Sequence, residues 1–304
     1  MLAELFKRRN MKSLDDFALF YDDFNEYGDR DAQTAFYFVP GIGGVPGQVR
    51  FALPSLQRVF GTRIYVRCLH LDAFSASRPI WEKFTRVNVD KKRDQIVTDL
   101  VQLGSRHETI HVIASSNGFY DFLYAYRDLD TALVAKLKLI WVAVAPDSFL
   151  PNPWEAIFYR LNGFEHNGYR WFALPNHNLL RWINPETTTS HTWRRDGKLK
   201  RFFKDDLEFR MSLLGVQWGY ASRDAFNDCL EHAIRQTVFP LDLRAFILVA
   251  TNDGYWQGRP PSDVDNLLDR YLSNKTVFYK HASHLWVLVP DNLDELLQTV
   301  ERDQ

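Results

Sequence analysis

Cysteine, charge of one sign and long apolar runs are all scarce in this chain. The two cysteines, Cys68 and Cys229, are too few for a disulfide framework and fit a reducing compartment. Lys and Arg number 37 against 38 Asp and Glu, for a formal net charge of −1. No global field therefore draws the protein to nucleic acid or to an anionic membrane. No stretch approaches the ~18 uncharged apolar residues of a membrane span, so integral membrane association is not expected. The opening MLAELFKRRNMKSL has neither the unbroken apolar core nor the small-residue cleavage site of a signal peptide. His70, His107, His111, His166, His177 and His191 lack metal-ligand spacing, and no metal is expected. Internal repeats and low-complexity segments are missing as well. A soluble cytoplasmic protein, monomer or homodimer, is the expectation.

What the chain does have is apolar and aromatic mass: 304 residues, 46% hydrophobic, 15% aromatic. That is enough to bury a sizeable core. Short apolar runs alternate with longer helical patterns, the signature of a parallel sheet with crossover helices. Strands are predicted at Ala35–Val39, Arg63–Cys68, Thr109–Ala114, Leu139–Ala145, Arg244–Ala250 and Thr276–Lys280. They are apolar nearly throughout, as strands covered on both faces should be. Helices are predicted at Asp90–Gly104, Asn117–Leu129 and Leu293–Val300 from their apolar stripes. The early stretch FALFYDDF reads equally as a strand or a helix.

The alternation stops once. From Asp147 to about Pro240 no buried-strand run occurs, and Trp154, Trp171, Trp182, Trp193 and Trp218 fall in this region, out of nine tryptophans in all. A connection of roughly 90 residues cannot be a bare loop in a compact domain. A mainly helical cap over 148–240, inserted into a core of 1–147 and 241–304, is therefore expected. Its basic run WRRDGKLKRFFKDD, residues 193–206, reads first as a solvated segment paired with Asp205 and Asp206.

Two stretches carry chemistry. FVPGIGGVPG, residues 38–47, ends a strand in a glycine-rich loop, which could cradle a phosphate or aim N–H groups at an oxyanion. A dinucleotide site would want a glycine where Pro46 stands and an acid at the end of the next strand, where Arg67 and Cys68 stand. No Gly-Lys-Ser/Thr follows, so a P-loop is excluded too. No cofactor is expected. The second stretch, HVIASSNGFYDF at 111–122, runs a buried strand straight into a helix through Ala114-Ser115-Ser116-Asn117-Gly118. Small residues two before and two after an apex relieve the clash of a sharp strand-to-helix reversal, and the apex side chain is left exposed beside the helix N-terminus. Ser116 is that apex, and Ser115 should point into the packing. Helix capping is the plainer use of a serine there.

These residues resemble the α/β-hydrolase family over 35–147 and 240–300. FVPGIGGVPG looks like the family's oxyanion loop, with Pro40-Gly41 where a His-Gly pair is common. LDAFSASRP, residues 71–79, resembles its Asp-x-x-Gly-x-Ser-x-x-Pro turn, and ASSNG stands at its nucleophile elbow with alanine for the first glycine. The family order of nucleophile, acid and histidine falls on Ser116, on Asp253 in FILVATNDGYW, and on His284 in VFYKHASHLWVLVPD. Asp147 is the competing acid and His281 the fallback histidine.

The resemblance implies an α/β-hydrolase fold, a mostly parallel sheet flanked by helices, and cleavage of a carboxylic ester or related acyl bond through an acyl-enzyme. The N–H groups of Ile42 and Asn117 would hold the oxyanion. Trp154, Trp182 and Trp286 would line the pocket for a small apolar or aromatic substrate. Thioesterase, lactonase, carbon–carbon hydrolase and aminopeptidase chemistry share the triad, and a non-catalytic small-molecule receptor on the same fold is the alternative of a different class.

Overall fold

A computed structural model describes residues 26–41, 49, 52–70, 89–146, 240–251, 253, 256, 260–282 and 290–303. The expected cap at 148–240 and the FALFYDDF segment lie outside the described residues. The described strands are β1 (Glu26–Gly28), β2 (Thr34–Val39), β3 (Tyr65–Cys68), β4 (Thr109–Ser115), β5 (Leu137–Val142), β6 (Ala245–Ala250) and β7 (Lys275–Lys280). They form one sheet in the order β1-β3-β2-β4-β5-β6-β7. Every pairing is parallel except that of β1 with β3. Each predicted strand is present, with no end moved by more than three residues.

Helices close both faces. α1 (Leu53–Phe60) and α6 (Pro290–Arg302) lie on one side; α2 (Val89–Gly104), α3 (Gly118–Tyr126) and α5 (Pro261–Tyr271) lie on the other, with the short α4 (Thr131–Val134) leading into β5. The two-residue alternation of the strands divides the core accordingly. From β2, Ala35, Tyr37 and Val39 join Ile96 and Leu100 of α2 and Phe119 and Phe122 of α3 in one cluster. Phe36 and Phe38 face the other way, onto Leu53 and Leu56 of α1 and Leu293, Leu296 and Leu297 of α6. α5 is not among the helices expected from the sequence, yet it buries Val264, Leu267, Leu268 and Tyr271 at i, i+3, i+4 and i+7. Each such fully buried side chain contributes about 1.5–3 kcal/mol. Among the described residues no helix is long and apolar enough to cross a membrane.

β5 ends three residues earlier than its apolar run suggests. Ala143 has φ 53°, which takes the chain out of extended geometry although Ala143, Val144 and Ala145 remain buried. Buried carbonyls that leave a ladder need other donors. The Trp256 indole donates to Val144 O at 2.7 Å, and the Tyr120 hydroxyl donates to Ala145 O at 2.8 Å.

Polar groups also enter the core, in pairs. The Asp99 carboxylate accepts from Tyr37 Oη at 2.8 Å, Arg67 Nη2 at 2.5 Å and Gln95 Nε2 at 2.8 Å. Burial lifts the Asp99 carboxyl above its usual range, outweighing the Arg67 guanidinium and the hydrogen bonds from Tyr37 and Gln95, which act the other way. Between α2 and α3, Lys92 Nζ lies 3.3 Å from Asp121 Oδ2, with both side chains buried.

His111 on β4 stacks on Phe36 with ring centroids 4.9 Å apart. Desolvation, with Lys138 as a smaller cause, pushes it down to about 3. The unfolded chain therefore binds a proton near the ordinary value of 6.5 that the native state accepts only near 3. Stability should fall by about 1.4 kcal/mol per pH unit as pH drops through this window. Denaturant titrations between pH 7 and pH 4 are expected to show that slope in the wild type and a shallower one in His111→Phe. Equal slopes would mean that His111 is not the group titrating.

Candidate active site

The strand order creates a particular crevice. β2 and β4 are neighbours, but the chain leaves β2 toward β3 on one side and leaves β4 toward β5 on the other. Such a topological switch point, at the C-terminal ends of parallel strands, is where open α/β sheets bind ligands. The ends of β2 and β4 carry the two chemically suggestive stretches.

At the end of β4 the chain turns within two residues into α3. Ser116 has φ 52°, one of two non-glycine residues described with a positive value. Side chains rarely adopt this region, and the strain must be held by surrounding structure. Ser116 N donates to Val142 O at 2.9 Å, and the Trp141 indole donates to Ser116 O at 3.1 Å. Trp141 in turn stacks on Phe119 at 3.8 Å between centroids. Ser116 is only partly buried, while its neighbours on both sides are buried. Ser115 belongs to β4, opposite Val142, and is 4% exposed. The serine that the sequence places off the apex is thus off it here.

Glycines make this turn possible by admitting backbone. A Cβ on Gly118 would lie 2.3 Å from Val39 O and 2.7 Å from Pro40 O. On Gly41 it would lie 2.7 Å from both Ser115 O and Ser116 Cβ, and 3.4 Å from Asn117 N. The first residue of the glycine loop therefore rests directly on the elbow. Asn117 is buried at 8% exposure. It occupies the N-cap position of α3 without a side-chain capping bond.

Asp253 lies three residues beyond β6 and is 2% exposed. Its carbonyl accepts from Trp256 N at 3.0 Å, and the Trp256 indole bond to Val144 O ties that turn to the end of β5. His281 directly follows β7 and is exposed. Ser116, Gly41, Asp253 and His281 all follow the C-terminal ends of parallel strands, so they share one edge of the sheet. His284, Ile42, Asp147, Trp154, Trp182 and Trp286 lie outside the described residues.

No protein-family profile matches the sequence, and no curated protein matches it. Solved structures do align with it. A thermophilic esterase from Thermogutta terrifontis is 14% identical, with a TM-score of 0.57 over 91% of this chain and 92% of its own. The type II thioesterase of the borrelidin biosynthetic cluster is 14% identical, with a TM-score of 0.55 over 93% and 99%. An enol-lactonase from Burkholderia xenovorans is 15% identical, with a TM-score of 0.52 over 92% and 95%. At such identities the likeness shows the fold, which is that of the α/β-hydrolases.

Gly118 allows a direct check of the elbow. In Gly118→Ala the new methyl would meet two backbone carbonyls, neither of which can swing away as a side chain tip could. Overpacking of this kind costs about 1–3 kcal/mol. Chemical denaturation should register that loss. A variant as stable as the wild type would mean that α3 and the end of β2 are not in this register.

Proposed function

We propose that this chain, with its α/β-hydrolase fold, is a serine hydrolase that cleaves a carboxylic ester or related acyl bond. The observation that carries the reading is Ser116, a non-glycine residue at φ 52° between a buried strand and a helix N-terminus. Strain of this kind concentrates at functional sites. A helix terminus beside the hydroxyl favours developing negative charge.

In this reading the Ser116 hydroxyl attacks the substrate carbonyl carbon while His284 takes its proton. Asp253 orients the imidazole and stabilises the imidazolium. The tetrahedral oxyanion accepts from the N–H groups of Asn117 and Ile42. As the intermediate collapses, the bond to the leaving group breaks and His284 returns the proton to it. A water molecule, deprotonated by the same histidine, then hydrolyses the acyl-enzyme and frees Ser116. The chemistry needs no cofactor. The aromatic segment 148–240 would form the cap, and its Trp154 and Trp182 together with Trp286 would line the pocket over the acyl group, favouring a small apolar or aromatic substrate.

A fluorophosphonate probe tests the nucleophile. Mass spectrometry should find the adduct on Ser116, and Ser116→Ala should prevent it. Labelling of Ser115, or none in folded protein, would overturn the reading.

The acid is tested separately, since Asp147 competes with Asp253 for the role. Loss of a triad acid lowers turnover by a factor of ~10⁴. Asp253→Asn should show such a loss on an activated ester and Asp147→Asn should not. The opposite result would assign the acid to Asp147.

A further inference from the structure

We infer that the Asn117 side chain is a substrate-binding donor, so that the site selects acyl groups carrying an oxygen acceptor along the acyl chain. The inference rests on acylation at Ser116 and assigns a new role to the side chain of its neighbour, separate from the backbone N–H.

Asparagine at an N-cap normally earns its place by accepting from the first turn of the helix. Asn117 holds that position on α3, a helix of nine residues, with no side-chain capping bond and a helical backbone at φ −65°, ψ −17°. The usual structural reason for the residue is therefore missing. Its Nδ2 is buried, with no hydrogen-bond partner among the described residues, in a side chain belonging to a residue only 8% exposed. Few buried amide groups in native folds are left in that state, and a site for a ligand is one of the circumstances that accounts for it. This one sits one residue beyond Ser116, on the turn against which Gly41 rests.

A donor carried by the residue that follows Ser116, and left without a protein partner among the described residues, fits an ether, keto or carboxylate oxygen on the acyl chain. A plain alkanoyl group leaves it unpaired. Sites that hydrogen-bond a substrate discriminate strongly against analogues lacking the group, because the buried partner is then left without one. The expected preference is thus polar at one point within an otherwise apolar pocket.

The test compares phenyl butyrate, phenyl methoxyacetate and the phenyl monoester of glutaric acid on the wild type, Asn117→Leu and Asn117→Asp. The readout is the ratio of kcat/KM for each oxygen-bearing ester to that for butyrate. Comparing that ratio between enzyme forms cancels the intrinsic reactivity of the esters, whatever happens to absolute rates. One neutral hydrogen bond corresponds to roughly tenfold, so the ratio should fall by about that factor in Asn117→Leu. The near-isosteric Asn117→Asp, which keeps the shape but presents acceptors only, should lose it as well, and most severely for the glutarate ester. A preference confined to glutarate in the wild type would assign a carboxylate as the ligand; a preference for methoxyacetate would assign a neutral oxygen. Ratios unchanged within about twofold in both variants, with Ser116 still labelled by fluorophosphonate, would overturn this inference alone. Absence of both turnover and labelling would instead overturn the hydrolase reading beneath it.

Discussion

The crossing of two backbones at the end of the sheet leaves no room for a side chain, and much of the site depends on that closeness. Gly118 meets the carbonyls of Val39 and Pro40, while Gly41 meets Ser115 and Ser116. With the helix and the loop pressed together, the residue between strand and helix is forced into a positive φ. A non-glycine residue there costs of order 1–3 kcal/mol. The two hydrogen bonds at Ser116, from its own N–H to Val142 O and to its carbonyl from the Trp141 indole, offset about 1 kcal/mol each. Stacking of Phe119 on Trp141 adds about 0.5–1.5 kcal/mol. The strain is thus offset by neighbours that also belong to the core of the sheet.

The same economy runs through the buried polar groups. α2 reaches β2 and β3 through the Asp99 contacts with Tyr37 and Arg67, and it reaches α3 through Lys92 and Asp121. Such pairs add little net stability, because both partners lose water. They do make a shifted register expensive, since a slipped helix would leave a charge buried alone. Lys92 and Asp121 therefore help to set where the first turn of α3 lies, and Asn117 lies at the start of that turn. His111 is a different case, an imidazole kept neutral by burial in an aromatic stack, and it makes the core sensitive to acid.

The sheet order gives these local features a common location. Because β2, β4, β5, β6 and β7 run parallel, every loop leaving a C-terminal end emerges on one edge. Neighbouring strands lie about 4.8 Å apart, so residues after β4 and β6 are separated by two strand spacings, roughly 10 Å at the backbone. Side chains and loops must span that gap. The Trp256 bond to Val144 O holds the turn containing Asp253 against the end of β5, the strand lying between them.

The amino-acid sequence by itself determined the parallel strands and the elbow, for both are local. Short apolar runs such as TIHVIAS and AFILVA read as strands covered on both faces, and Ala114-Ser115-Ser116-Asn117-Gly118 states its tight reversal through small residues at fixed spacing. α5 was readable by the same rule, its apolar residues at i, i+3, i+4 and i+7, though its proline-rich approach masked it. Tertiary structure alone decided the rest, because it turns on groups far apart in the chain. The placement of β2 beside β4 follows from pairing across the whole of β3 and α2. The early end of β5 at Ala143 follows from side-chain donors, Trp256 and Tyr120, that capture its outgoing carbonyls. The need for glycine at 118 follows from the carbonyls of Val39 and Pro40, and no pattern within either stretch announces that meeting. The idle amide of Asn117 is the clearest instance: asparagine beside a serine reads as a helix cap in sequence, and only the folded chain leaves its nitrogen buried and unused.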